Sequence, residues 1–327
     1  MRGDQPQQPI PILGESLIMA GKAMKLGFVS AILPELSLAE VLAFAAAERF
    51  AGVEVMCWPA GPAERKYAGI THLDVNGFGP TRVQEVQALC AQHGVSLTAL
   101  GYYPNPLDAN PNISAAAVSH LKKVIQAAAL LGLKNVNTFV GRDWTRSVDD
   151  NWPRFLRTWK PLIAFAEDHE IKVGIENCPM LFTRDEWPGG KNLMTTPAIW
   201  RRAFNDIPSK NFGLNYDPSH FVLQQMDPVS PLHEFQARLF HLHAKDVKLR
   251  RDRLNEVGVF AAPREWHQPR IPGAGEMDWA KFLSAVRATK YRGPLCIEVE
   301  DETFGRTLAG RKRALKVARN VLQPYLA

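Results

Sequence analysis

The chain has 327 residues, of which 46% are hydrophobic and 22% charged. This is the composition of an ordinary globular protein and excludes a disordered chain, collagen or a coiled coil. No run of about 18 apolar residues is present, which excludes a transmembrane helix. The formal net charge of +6, from 39 Lys+Arg against 33 Asp+Glu, permits an anionic partner without demanding one. The basic residues are dispersed apart from 245–253 and 306–319, and the second run reads as a helix with a solvated basic face.

Residues 1–24 are Gln/Pro-rich, and their apolar stretch is interrupted by Pro11, Gly14 and Glu15. That pattern predicts an N-terminal arm, not a signal peptide, on a cytoplasmic protein. The arm's Ile and Leu residues suit packing on a neighbour in a homo-oligomer. Cys57, Cys90, Cys178 and Cys296 form no CxxC pair and sit in or beside apolar segments, as buried free thiols in a reducing compartment do.

From residue 25 the chain alternates short apolar runs with amphipathic stretches. Strands are predicted at 25–30, 52–57, 95–100, 135–140, 172–176, 212–216, 239–243 and 295–299. Helices are predicted at 38–49, 81–93 with Gly94 as stop, 114–131 with Ser114 as N-cap, 151–169, 196–205, 228–238, 278–289 and 305–322. The segment 248–276 reads as a long polar loop, with 265–270 as a candidate lid. Eight strand–helix repeats predict a single α/β domain over 25–327, a (β/α)8 TIM barrel. A doubly wound sheet is the alternative, but its Gly-rich phosphate loop is missing: residues 31–35 are Ala-Ile-Leu-Pro-Glu. Neither a P-loop nor a GxSxG elbow is present.

The carboxyl ends of barrel strands carry chemistry. Here the fifth strand ends at Glu176-Asn177 and the sixth at Asp217-Pro-Ser-His220. The seventh ends at His243-Ala-Lys-Asp246, and the eighth carries Glu298. Charged residues in apolar strands are costly unless paired or metal-bound, and four on consecutive strands point to a shared site. Two Glu, one Asp and one His make an oxygen-rich set that suits Mn²⁺ first, with Mg²⁺, Co²⁺ and Zn²⁺ as other divalent ions it accepts. His241 lies on the same strand face as His243; His243 is nearer the strand end. Glu54 sits mid-strand and is equally a barrel-lining or a site residue. His72, Trp58, Tyr102, Lys191 and Trp279 are candidate pocket walls, each also at home in the core.

The order Ile-Glu-Asn, Asp-Pro-Ser-His, His-Ala-Lys-Asp and Ile-Glu-Val-Glu-Asp resembles the sugar phosphate isomerase/epimerase family of the xylose-isomerase-like TIM barrel superfamily. The Gly52-Val-Glu-Val strand and Gly273-Ala-Gly-Glu-Met-Asp-Trp279 are similar to it as well. The resemblance implies that Glu176, Asp217, His243 and Glu298 are metal ligands and that His220 lies beside the metal and touches substrate. It also places Lys245 and Asp246 at the substrate. It implies a sugar isomerase or epimerase acting through an enediolate, with Glu176 and Glu298 as the acid–base pair and Asn177 or Lys245 orienting them. A dehydratase or lyase on a keto-sugar or inosose is the runner-up, since the same intermediate can expel a leaving group. An endonuclease IV-like enzyme is a third reading. It requires early-strand histidines, for which His72 is the one candidate, so nucleic acid is not the expected partner; a small sugar, keto-sugar or cyclitol is.

Overall fold

The computed structural model describes residues 24–61, 68–181 and 190–326. Eight parallel strands close a barrel: β1 (Leu26–Val29), β2 (Gly52–Met56), β3 (Ser96–Gly101), β4 (Asn135–Thr138), β5 (Lys172–Glu176), β6 (Phe212–Tyr216), β7 (Leu239–Ala244) and β10 (Leu295–Ile297), which returns to β1. The barrel expected from the alternating pattern is therefore present. Every residue of β1, β2, β6 and β7 is buried. Parallel strands covered on both faces need such near-continuous apolar runs.

The main helices are α1 (Leu38–Ala47), α2 (Pro80–His93), α3 (Pro111–Leu130), α4 (Val148–Asp168), α5 (Pro197–Asp206), α9 (Trp279–Ala288) and α10 (Leu308–Leu322). In α3 the buried Ala117, Leu121, Val124 and Ala128 recur at three- and four-residue spacing, the stripe of a helix lying on a sheet. Ser37 and Glu40 form a reciprocal capping box on α1. Ser147, Thr196, Asp278 and Thr307 cap the starts of α4, α5, α9 and α10.

Three expectations are corrected. Helix α3 is capped by Asn110, not Ser114, because Pro111 supplies a pre-set first helical residue; Ser114 lies inside the helix and donates to the Pro106 carbonyl at 2.6 Å. The predicted helix at 228–238 is two pieces, α7 (Ser230–Glu234) and a 3-10 turn over Gln236–Arg238, preceded by the short α6 (Ser219–Leu223). The segment after β7 is not a loop but an antiparallel ribbon of β8 (Asp246–Leu249) and β9 (His267–Arg270), with α8 (Arg251–Val257) between them.

Asp246 anchors that ribbon. Its Oδ1 accepts from the amides of Val247 (2.8 Å) and Met277 (3.0 Å), and its Oδ2 from the Gly273 amide (3.1 Å) and Trp279 Nε1 (3.0 Å). A side chain at Gly275 would collide with this carboxylate, which explains the glycine there. The basic run in α10 is only partly solvated. Arg311 is buried and pairs with Glu35, while Lys316 (2.6 Å) and Arg319 (3.2 Å) pair with Glu48 at the end of α1.

All four cysteines are free, three of them buried. Among the described residues no helix is long and apolar enough to cross a membrane. The N-terminal arm lies outside the described residues except for Met24, which packs against the core.

Candidate metal centre and active-site pocket

Strands β5, β6, β7 and β10 are neighbours in the barrel, so their carboxyl ends converge on one part of the rim. Glu176 is the last residue of β5, Asp217 follows β6, His243 is next to last in β7 and Glu298 follows β10. One ligand atom from each of the four lies within 4.8 Å of all the others. The sequence-predicted quartet is thus brought together. Asn177 ties the ends of β5 and β6, its Oδ1 accepting from the Asp217 amide at 2.8 Å and its Nδ2 donating to the Asp217 carbonyl at 2.9 Å.

The set meets a simple test of fit for a divalent cation. Asp217 is fully buried, and its Oδ2 makes no hydrogen bond among the described residues. Only charge–charge contacts of 3.2 Å, from Lys245 Nζ and His220 Nε2, reach that oxygen. A buried carboxylate oxygen left without a directed donor suits a cation as ligand. Lys245 supplies part of that charge: its Nζ lies 2.7 Å from Glu298, 3.2 Å from Glu300 and 3.9 Å from Glu176. His220 Nε2 is 3.1 Å from Glu176 Oε1.

The environments of the two glutamates differ. Burial raises the Glu176 carboxyl above the usual carboxylate range and the Glu298 charge adds to the rise, with His220, Lys245 and His243 offsetting part of it. Burial acts on Glu298 as well, but there Lys245 and His243 outweigh it and hold the carboxyl below its ordinary value. Lys245 itself would lose its proton to burial, yet the surrounding carboxylates, Glu298 first, more than restore it.

A cleft opens onto this cluster. Glu176, Glu298, Lys245 and Glu300 form its polar side, and Val29, Met56, Trp58 and Phe139 face it from the opposite strands. Asp217 and His243 lie behind that lining. A second cavity shares Lys245, Cys178 and Glu300 with the first and is lined by His220 and His267.

The other sequence candidates are distributed unevenly. His72 is held by Ser30 Oγ (3.0 Å) and the Leu33 carbonyl (3.0 Å) and does not join the quartet. Tyr102 packs edge-on against Trp58 and His120. Lys191 lines a separate cleft with Trp58 and Tyr102. Trp279 and Asp246 hold each other, and Asp246 also lines the second cavity beside His220 and Lys245. Glu54 faces the barrel interior, with His243 Nε2 at 2.8 Å. Glu300, Asn215 and Tyr103 were not singled out from the sequence. The two-residue period of a strand was the available signal: Glu300 is two residues past Glu298, and Asn215 two before Asp217.

Residues 42–324 match the family described as xylose isomerase-like TIM barrel. The uncharacterised protein YfiH of Bacillus subtilis (strain 168) is 26% identical over 304 residues, 86% of this chain and 94% of that protein. An inosose dehydratase of Lacticaseibacillus casei is 29% identical over 163 residues, 48% of this chain, so the match spans about half (52%) of that enzyme. The D-psicose 3-epimerase of Clostridium cellulolyticum H10, crystallised with D-tagatose, superposes with a TM-score of 0.67 at 15% identity, covering 93% of this chain and 99% of that one. At that identity the likeness is one of fold. The matched span includes seven of the eight barrel strands and all four residues of the candidate quartet, and the chain belongs to the xylose isomerase-like TIM barrel family.

Proposed function

We propose that the protein is a divalent-metal-dependent isomerase or epimerase of a small keto-sugar or cyclitol, acting in the cytoplasm by proton transfer at the carbon next to a carbonyl. The observation that carries this reading is the division of labour within the quartet. Glu176 and Glu298 reach the cleft, whereas Asp217 and His243 lie behind them. All four would hold the ion, Mn²⁺ by the hardness of the oxygen-rich set. When bound, the ion supplies a Lewis acid that stabilises negative charge growing on a substrate oxygen.

The protein's own residues do the rest. Glu176 and Glu298 enter the cleft from separate strands, so a carbon held between them can lose a proton to one and regain it from the other on the opposite face. His220 orients Glu176 and Lys245 orients Glu298. The apolar wall of Val29, Met56, Trp58 and Phe139 packs on the C–H faces of a ring or chain and keeps water from the reacting carbon.

The test is incubation of candidate keto-sugars and inososes with the Mn²⁺-loaded protein in D₂O. Deuterium in an intact, isomerised or epimerised product supports the proposal. Solvent exchange that is absent with every substrate that binds contradicts it. The inosose dehydratase match favours one second reading, in which the same carbanion expels a β-hydroxyl; an unsaturated product identifies that outcome. The nuclease reading lacks its early-strand histidine, since His72 is engaged with Ser30 and Leu33.

A further inference from the structure

TIM-barrel interiors are usually filled by layers of branched apolar side chains. Below the quartet this barrel instead holds a polar layer. Glu54, at the centre of β2, is fully buried there, as are Asn215 and His241. We propose that Glu54 is a positioning residue for His243: it holds the Nε2 proton and so leaves Nδ1 as the nitrogen that faces the carboxylates and is offered to the ion. The proposal rests on the metal reading above and goes beyond it.

The geometry is directional. His243 Nε2 is 2.8 Å from Glu54 Oε2, whereas His243 Nδ1 lies 3.4 Å from Glu298 and 3.8 Å from Glu176. Asn215 Nδ2 also lies 3.1 Å from His243 Nε2, but that amide has an acceptor of its own, Tyr103 Oη at 3.1 Å. A carboxylate can only accept, and the 2.8 Å contact to Glu54 is shorter than either contact from Nδ1, so the Nε2 proton is the one His243 keeps when Nδ1 gives up its own to an ion.

The rest of the layer accommodates the same direction. Cys296 Sγ is 3.4 Å from Thr98 Oγ1, and Thr98 Oγ1 is 3.3 Å from His241 Nε2. His241 Nδ1 is 3.0 Å from Asn215 Oδ1. Asn215 Nδ2 then donates to Tyr103 Oη, and Tyr103 donates to Glu54 Oε1. In this direction both oxygens of Glu54 are filled, one from Tyr103 and one from His243. Gly101 makes room for this arrangement, because a Cβ there would lie 2.7 Å from Glu54 Oε1. A carboxylate that holds the far nitrogen of a ligating imidazole fixes its tautomer and raises its basicity.

The experiment uses the full chain stripped with chelator and titrated calorimetrically with Zn²⁺. Glu54→Gln is expected to weaken Zn²⁺ binding by about 10- to 100-fold, and Tyr103→Phe, which leaves the carboxylate in place, by less. Imidazole ¹⁵N spectra of the Zn²⁺-loaded wild type are expected to show His243 protonated on Nε2. Equal affinity in Glu54→Gln, or a proton on Nδ1, overturns the proposal while leaving the metal reading intact. A wild-type chain that binds no Zn²⁺ overturns both. If Glu54→Gln does not fold, the wild-type tautomer decides the matter.

Discussion

The two halves of the barrel rim share a backbone and differ in everything else. At the ends of β5, β6, β7 and β10 stand Glu176, Asp217, His243 and Glu298; at the ends of β1 to β4 stand Val29, Met56, Tyr103 and Phe139. The first half places charges in a buried setting, which opposes folding unless they are paired. The second half supplies most of a small apolar cluster, with Val29, Met56, Tyr103 and Phe139 packed together with Cys178, Met180 and Cys296. The barrel thus separates the groups that react from the groups that shape the cleft. The difference is carried by side chains on equivalent strand ends.

That separation can be broken most severely on the charged side. Glu176→Gln and Glu298→Gln keep size and one ligating oxygen, so metal affinity should fall modestly while turnover falls roughly 10²- to 10⁴-fold. The double variant should fall short of the product of the two losses, because the pair acts as a unit. Retention of near-wild-type turnover in both single variants would make the glutamates structural. His243→Ala should act in the opposite order. Metal affinity is lost first, and excess Mn²⁺ restores part of the activity; turnover that stays absent at saturating Mn²⁺ would assign His243 more than a binding role.

On the apolar side, Trp58→Ala should raise KM about tenfold, on the order of 1.4 kcal/mol of lost binding, with metal affinity unchanged. A fall in kcat alone would show that this wall does more than hold substrate. The smallest effect belongs to the ribbon, outside both halves. Burial pushes the His267 imidazole down to about 4. The native state therefore keeps it neutral while the unfolded chain takes up a proton below about pH 6.5. Its contribution to stability is present above that pH and is lost as the pH falls toward 4. In His267→Gln the melting temperature should decline less steeply over that window, by roughly 2–4 °C; an unchanged slope would show that His267 does not report on acid unfolding.

The sequence carried the strand–helix alternation and the charged strand ends, because both are local signals: an apolar run followed by an amphipathic one, and a carboxylate or histidine where the run stops. Glu176, Asp217, His243 and Glu298 could be found that way. Glu54 could not be decided, since its meaning depends on His243, which is 189 positions away. Asp246 sits in the motif beside Lys245 and was read with it. Successive strand residues point to opposite faces, and its four donors come from Val247 and from a turn 27 to 33 residues later. The ribbon is hard to read for a related reason: Asp246–Leu249 alternates polar and apolar residues over only four positions, and its partner His267–Arg270 shows no apolar alternation at all, so the pairing emerges only in the fold.

Lys245 has a consequence for the order in which this protein is made. Where a site gathers several carboxylates around nothing but a future ion, folding and metal uptake are one event. Here the chain brings its own ammonium group, almost fully buried, to within 4 Å of Glu176, Asp217, Glu298 and Glu300. The repulsion that would hold the last strand away from the others is answered from within. On the metal reading proposed above, the newly synthesised polypeptide would close its barrel first and take up its ion afterwards, and it would exchange that ion without coming apart.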